Sequence, residues 1–147
     1  MIALLDVNVL IALAWPSHLH HRAAHAWFTP NRARGWATCP TTEAGFVRVS
    51  ATPGVVKTIV SVAEAFQILE HNLNAPDHHF WPQAKGIEQM NSILKGRTMG
   101  PKQVGDAVLL DIALDNNGVL ATFDKRIPEL LPAQSPLRNS IEVLPIG

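Results

Sequence analysis

The chain has 147 residues, of which 47% are hydrophobic, and its formal net charge is zero. A chain of this size can bury one sizeable core, so we expect a single domain over residues 1–147. The longest unbroken apolar run, Val9 to Trp15, is far shorter than the roughly 18 residues that span a bilayer, so no membrane-spanning helix is expected. The single cysteine, Cys39, excludes an internal disulfide framework and a thiolate zinc cage, and it is typical of a reducing cytoplasm.

Strand-like and helix-like segments alternate along the first half of the chain. The apolar run that ends at Asp6 predicts a buried strand, and the helix after it is expected to start at Asn8 and to stop before Pro16. Ser17 can cap the next helix, and Pro40 suits the first position of a later one. The elements expected in this half are a strand over 2–6, a helix over 8–15, a helix over 17–28, a strand over 35–39 and a helix over 40–49.

The same alternation continues in the second half. Apolar residues between Lys57 and Leu73 recur at helical spacing, which predicts an amphipathic helix over that range. The segment from about Lys102 to Asn116 is helical in pattern and apolar on most faces, so it should be well covered. The other elements expected here are a strand over 78–82, a short helix around 87–94, a turn-rich connector over 95–101, a helix stop at 117–118, a strand over 119–123 and an edge strand over 141–146.

Four acidic residues occupy positions that this type of fold brings together. Strands that alternate with helices predict a mostly parallel sheet covered on both faces, an α/β fold, and such sheets bind ligands outside the carboxyl ends of their strands. Asp6 and Asp124 each end a predicted strand. Helices in these folds start at the same edge, where Glu43 and Asp106 lie near helix starts. We therefore expect the four carboxylates to converge.

An all-acid cluster needs a counter-charge, because neighbouring carboxylates repel and raise each other's pKa. A hard divalent cation, Mg²⁺ or Mn²⁺, suits carboxylate oxygens and can activate water for in-line displacement at phosphorus. The chemistry indicated is phosphodiester hydrolysis. Without the four acids, twelve basic residues face eight acidic ones, so the remaining surface tolerates a polyanion. Candidate phosphate contacts, for which ordinary solvated positions are an equal alternative, are Arg22, Arg48, Lys125 and Arg126.

Motifs across nearly the whole chain resemble those of the PIN-domain ribonucleases, and most closely the VapC toxins of bacterial type II toxin-antitoxin modules. The segments that carry this resemblance are LLDVNVLIAL, HLHHRAAHAWF, GWATCPTTEAGFVRVSATP, HHFWP and GDAVLLDIALDNNGVLATFDKRI. The resemblance implies a PIN-like three-layer α/β/α sandwich. Gly105 departs from the pattern, since many relatives have a hydroxyl residue before the aspartate.

The resemblance also implies a function and partners. It implies a Mg²⁺- or Mn²⁺-dependent endoribonuclease that cuts RNA, often tRNA or ribosomal RNA, in the bacterial cytoplasm. It further implies a homodimer and a cognate VapB-type antitoxin whose C-terminal segment occupies the active-site groove. The acidic metal-binding and catalytic residues would be Asp6, Glu43, Asp106 and Asp124, with Asn8 and Thr122 orienting Asp6 and Asp124.

Two other function classes are alternatives. An aspartate-based phosphatase or phosphoacceptor domain also has an aspartate after its first strand, but the phosphatase pattern needs a second aspartate two residues later, where Asn8 stands. A non-catalytic PIN-like binding module would be expected to lack at least one of the four acids.

Histidines suggest a rival metal site. His21 and His25 have the spacing of a transition-metal chelate on one helix face, although a polar helix face that touches RNA or a partner is the favoured interpretation. Asp111 and Asp115 share another helix face. We expect Asp115 to be solvated, with Asp111 as an outside candidate for the pocket rim.

Overall fold

The computed structural model describes residues 1–146, and a parallel five-stranded sheet lies at its centre. Its strands are β1 (Ala3–Leu5), β2 (Trp36–Thr38), β3 (His78–Phe80), β4 (Val119–Thr122) and β5 (Ile141–Val143). The α-helices are α1 (Val7–Ala14), α2 (His21–Asn31), α3 (Pro40–Ser50), α4 (Val62–Leu73), α5 (Ser92–Arg97) and α6 (Gln103–Asp115). Among the described residues, none of the helices is long and apolar enough to cross a membrane.

The sheet has the order β3-β2-β1-β4-β5, and each pairing is parallel. The predicted α/β class is therefore confirmed. Ala3 of the central strand pairs with Trp36 on one side and with Val119 on the other, so β1, β2 and β4 end at the same edge. This register places the residues that follow these strands side by side.

Both faces of the sheet are covered, as a three-layer arrangement requires. In β1, Ala3 and Leu5 pack into a core with α1, α3 and α4, whereas Leu4 packs into a second core with α5 and α6. Successive strand residues point to opposite faces, which explains why short, wholly apolar strands serve both cores. The helix over 102–116 is confirmed as α6, and it is as well covered as its apolar pattern predicts.

Helix starts are where the structure departs most from the sequence predictions. α1 begins one residue before Asn8, because the carboxylate of Asp6 caps it by accepting a hydrogen bond from Val7 N at 2.7 Å. α4 begins five residues after Lys57, because Ser61 caps it by accepting from Glu64 N at 3.0 Å. In both places the capping side chain satisfies a free N–H group of the first turn and sets where the helix begins.

Two further boundaries were predicted wrongly. Ser17 does not cap α2, which begins at His21 after a turn in which His18 Nδ1 accepts from His20 N at 3.0 Å. α2 then continues through Pro30, whose missing N–H removes only one hydrogen bond near the helix end. The helix expected around 87–94 is a short 3₁₀ turn over Ile87–Gln89 followed by α5, which extends into the predicted connector.

The end of α6 follows the predicted stop at Asn117-Gly118. Asn117 adopts the left-handed conformation, with φ of 52°. Its N–H donates to Leu114 O at 3.2 Å, and the N–H of Gly118 donates to Ala113 O at 2.9 Å, which is the hydrogen-bond pattern of a Schellman motif. This tight end turns the chain directly into β4.

We predict that Gly118→Ala destabilises the protein. A Cβ at this position would lie 2.6 Å from the backbone oxygen of Ile2 and would also clash with the ring of Trp81. Overpacking of this kind costs about 1–3 kcal/mol, so the urea midpoint should fall. Gly96→Ala is the matched control, since a Cβ there meets nothing within 4 Å; equal losses in the two variants would contradict the prediction.

Candidate active site

The carboxylate of Asp6 is buried at the end of β1, with 7% of the residue exposed. One oxygen accepts from Val7 N at 2.7 Å, and the other accepts from the hydroxyl of Thr122 at 2.7 Å. Burial raises the pKa of Asp6 above its ordinary value, these two hydrogen bonds counteract that rise, and the charge of Asp124 adds to it. An acid therefore sits in this apolar segment because it caps a helix and faces an edge shared with other acids.

The hydroxyl of Thr122 is the centre of a polar network between β1 and β4. Besides donating to Asp6, its oxygen accepts from Asp124 N at 3.0 Å and from Asn8 Nδ2 at 3.4 Å. The amide oxygen of Asn8 accepts from Phe123 N at 3.3 Å. These are contacts that an orienting role for Asn8 and Thr122 requires, and that role itself stays a prediction.

Asp106 and Asp124 form the other side of this edge. Asp106 lies in the first turn of α6, and its pKa is raised to about 6, first by burial and then by the negative charges of Asp6 and Asp124. Asp124 accepts from Arg126 N at 2.9 Å, and the Arg126 guanidinium lies 3.3 Å from the same oxygen. Asp106 and Asp124 both line an open cavity of about 360 Å³. Its lining residues are Lys102, Gln103, Asp106, Asp124, Arg126, Ile127 and Leu130.

Glu43 occupies a separate place at the same edge, in the first turn of α3. Its carboxylate accepts from the hydroxyl of Thr38, the last residue of β2, at 2.7 Å. It is not among the charges that raise the pKa of Asp6 or Asp106. The structure thus brings three aspartates into mutual electrostatic contact and sets Glu43 beside β2. Over residues 1–146, no group of three or more aspartate, glutamate, histidine or cysteine side chains is already arranged to hold a metal ion.

The donor chemistry of this edge fits a hard divalent cation. Asp6, Asp106 and Asp124 supply only carboxylate oxygens, which are the donors that Mg²⁺ and Mn²⁺ prefer. Mutual repulsion among the three contributes to the raised pKa values of Asp6 and Asp106, so a positive charge between them would relieve an unfavourable arrangement. These three residues would hold such an ion, and Glu43 is the fourth acid at this edge.

The histidines form contacts within the fold. Nδ1 of His21 lies 2.7 Å from Ala12 O, and Nε2 of His25 lies 2.9 Å from Leu13 O. These carbonyls belong to the last turn of α1, where no N–H of the helix itself can reach them. The two rings therefore complete the end of α1, which disfavours the rival transition-metal site.

Asp111 does not reach the pocket rim. It is 4% exposed, accepts from Asn91 N at 3.0 Å and pairs with Lys85 at 3.3 Å. The same Lys85 pairs with Asp115 at 2.9 Å, and Asp115 is exposed to solvent, as predicted. Both acids hold the segment before α5 against α6.

The four basic residues predicted to contact phosphates lie at different positions relative to the cavity that Asp106 and Asp124 line. Arg22, Arg48, Lys125 and Arg126 are all exposed, but only Arg126 lines the cavity. Arg48 lies in the last turn of α3, whereas Glu43 lies in the first turn of that helix. Lys102 and Gln103 also line the cavity, and the sequence interpretation missed both. Their place at the start of α6, next to Asp106, was the available signal.

We predict that Asp106→Asn stabilises the metal-free protein at neutral pH. A carboxyl whose pKa is higher in the folded state contributes to stability below its unfolded pKa of 3.8, and this contribution is lost as the pH rises through about 6. The variant should therefore have a higher urea midpoint than the unsubstituted protein at pH 7 in EDTA, with the difference closing toward pH 4.

The matched control for this measurement is Asp115→Asn, on the same helix. Asp115 faces Lys85 rather than another acid, so its replacement should bring no gain at pH 7. Loss of stability in Asp106→Asn at pH 7 would contradict the electrostatic account of this edge.

Comparison with known proteins gives consistent likenesses. The chain is 42% identical over 144 residues to ribonuclease VapC38 of Mycobacterium tuberculosis, an alignment that covers 98% of this chain and 99% of that protein. It is 39% identical over 144 residues to ribonuclease VapC39 (98% and 100%) and 43% identical over 127 residues to ribonuclease VapC44 (86% and 89%), both of the same organism. No protein-family model matches the chain. Identity at this level over almost the whole length, on a parallel α/β sheet, shows that the chain belongs to the VapC family of PIN-domain ribonucleases.

Proposed function

We propose that this chain is a Mg²⁺- or Mn²⁺-dependent endoribonuclease, the toxin component of a type II toxin-antitoxin module. The observation that carries the metal-dependent part is the coupling of Asp6, Asp106 and Asp124 at one edge of the sheet, where burial and like charge raise the pKa of Asp106 to about 6. Family membership supports RNA hydrolysis as the reaction. An acidic edge on its own would repel a phosphodiester, so the substrate and the cation would have to bind together.

The residues at this edge would have different roles in such a site. Asp6, held by Val7 N and by Thr122, presents a fixed carboxylate, and Asp124 is oriented through its backbone N–H. A divalent ion bound here would supply an activated water and stabilise the charge that develops on the phosphoryl oxygens. Lys102, just before α6, and Arg126, in the segment after β4, both line the cavity and are suited to contact phosphates of the substrate.

The partners that we propose are an RNA substrate, with tRNA or ribosomal RNA as the target class, a VapB-type antitoxin and a second copy of the chain. We further propose that residues 1–147 form a single PIN domain that acts in the bacterial cytoplasm. A phosphatase is disfavoured because Asn8, at the position of the second aspartate, uses its amide on Thr122 and Phe123 N rather than offering an acid.

We expect the purified chain, free of antitoxin, to cleave structured RNA with Mg²⁺ or Mn²⁺ and not with EDTA, leaving 5′-phosphate and 3′-hydroxyl ends. Asp6→Asn and Asp124→Asn should each lower the rate by about 10²–10³-fold, because each removes a carboxylate that would hold the cation, and the cation would stabilise the charge on the phosphoryl oxygens. The assay is cleavage of end-labelled RNA with mapping of the product ends. Asp115→Asn serves as the control for loss of an acid outside the site; cleavage that survives EDTA would contradict metal dependence.

We also expect Lys125, exposed beside Asp124, to contribute more to RNA binding than Arg48 at the far end of α3. Loss of one phosphate contact lowers the slope of log affinity against log salt by about 0.7 for single strands. Lys125→Gln should show this decrease in fluorescence-anisotropy titrations of Asp6→Asn protein with a non-cleavable RNA. Arg48→Gln in the same background is the matched control. A larger change of the salt-dependence slope for Arg48→Gln than for Lys125→Gln would contradict this prediction.

A further inference from the structure

A chain of hydrogen bonds leads away from Glu43 into the sheet. The hydroxyl of Thr38 donates to Glu43 Oε2 at 2.7 Å, and Nε2 of His78 lies 2.7 Å from the same hydroxyl oxygen. A threonine hydroxyl has one proton, and here Glu43 receives it. Nε2 of His78 must therefore be the donor in the second hydrogen bond.

The far end of this chain is firmly held. His78 belongs to β3 and pairs with Trp36 of β2, whose ring centroid lies 4.7 Å from that of His78. The indole N–H of Trp36 donates to Asp77 at 2.9 Å, and Asp77 forms a salt bridge with Arg32 at 2.7 Å. These contacts fix the imidazole against the sheet, with Nε2 directed at Thr38.

Hydrogen bonds also fix the backbone of the first turn of α3, where Glu43 lies. Gln83 Oε1 accepts from Thr41 N at 2.8 Å and from the Thr41 hydroxyl at 2.6 Å, which caps the first turn of α3. Thr38 is fully buried, with 0% exposed. The remaining freedom at this position is thus the side chain of Glu43 itself, which has several rotatable bonds and would be costly to order without a partner.

We propose that Thr38 and His78 are positioning residues for Glu43, acting as a relay from β3 through β2 to the carboxylate. This proposal rests on the proposed function, in which Glu43 belongs to the metal-binding set. The relay limits where the carboxylate can lie, because it fixes Glu43 Oε2 with a hydrogen bond. Groups that orient a ligand in this way typically change metal affinity or activity by about 10–100-fold when they are removed.

The test compares substitutions that keep or remove each hydrogen bond. Thr38→Val removes the hydroxyl at nearly constant shape, and Thr38→Ser keeps it. His78→Gln keeps an N–H donor on a side chain of similar reach, and His78→Phe removes it. His79→Phe, on the next and exposed residue of β3, is the control for bulk. The measurements are Mn²⁺ affinity by calorimetry, kcat and KM for RNA cleavage, and the urea midpoint.

We expect Thr38→Val and His78→Phe to lower Mn²⁺ affinity and kcat by about 10–100-fold, with KM unchanged and a urea midpoint that still leaves each variant folded under the assay conditions. Thr38→Ser and His78→Gln should restore both, and His79→Phe should behave like the unsubstituted protein. In a background of Glu43→Gln, Thr38→Val should have no additional effect on kcat, because the relay acts only through Glu43.

Three outcomes would overturn different parts of the proposal. If Glu43→Gln abolishes cleavage while Thr38→Val and His78→Phe retain normal kcat and Mn²⁺ affinity, the relay is wrong and the acidic site stands. If Glu43→Gln itself retains normal activity, the assignment of Glu43 to the site is wrong, and the relay loses its function with it. A fall in kcat accompanied by an equal fall in the urea midpoint for Thr38→Val and Thr38→Ser alike would reduce Thr38 to a packing role.

Discussion

The hydroxyl of Thr122 links β1 and β4 at the edge of the sheet where the aspartates of the candidate site lie. It donates to the carboxylate of Asp6 and accepts from the N–H of Asp124, two residues that are more than a hundred positions apart in the chain. The contact with Asp6 depends on the parallel register of β1 and β4, in which Leu5 pairs with Ala121. A slip of one residue would turn every side chain of β4 to the other face and would break this link.

An electrostatic cost follows from the same register. Carboxylates that are forced together at the edge of a sheet, part-buried and close to one another, favour their protonated forms, and the raised pKa of Asp106 reflects this. Stability alone would favour neutral side chains at this edge, so the cluster marks it as the candidate site. In the function that we propose, this cost has a purpose, which is the binding of a cation beside a phosphodiester.

The position of this edge could be predicted from the sequence, whereas its detailed contacts could not. Alternating strands and helices place Asp6 and Asp124 at one edge by a general rule of parallel sheets, and the structure bears this out. Helix starts were less predictable, because neighbouring polar residues such as Asp6 and Asn8 compete for the same cap. The contact of Thr38 with His78 joins residues 40 positions apart and depends on strand pairing, for which no local pattern exists.

The central claim is that Asp6, Asp106 and Asp124 share one divalent ion at this edge. The most direct measurement is a crystal structure of the chain grown with Mn²⁺, with the ion located by its anomalous scattering. The account predicts a Mn²⁺ peak in direct coordination with carboxylate oxygens of these aspartates. A fully occupied Mn²⁺ bound elsewhere on the molecule, with the three carboxylates free of it, would contradict the account.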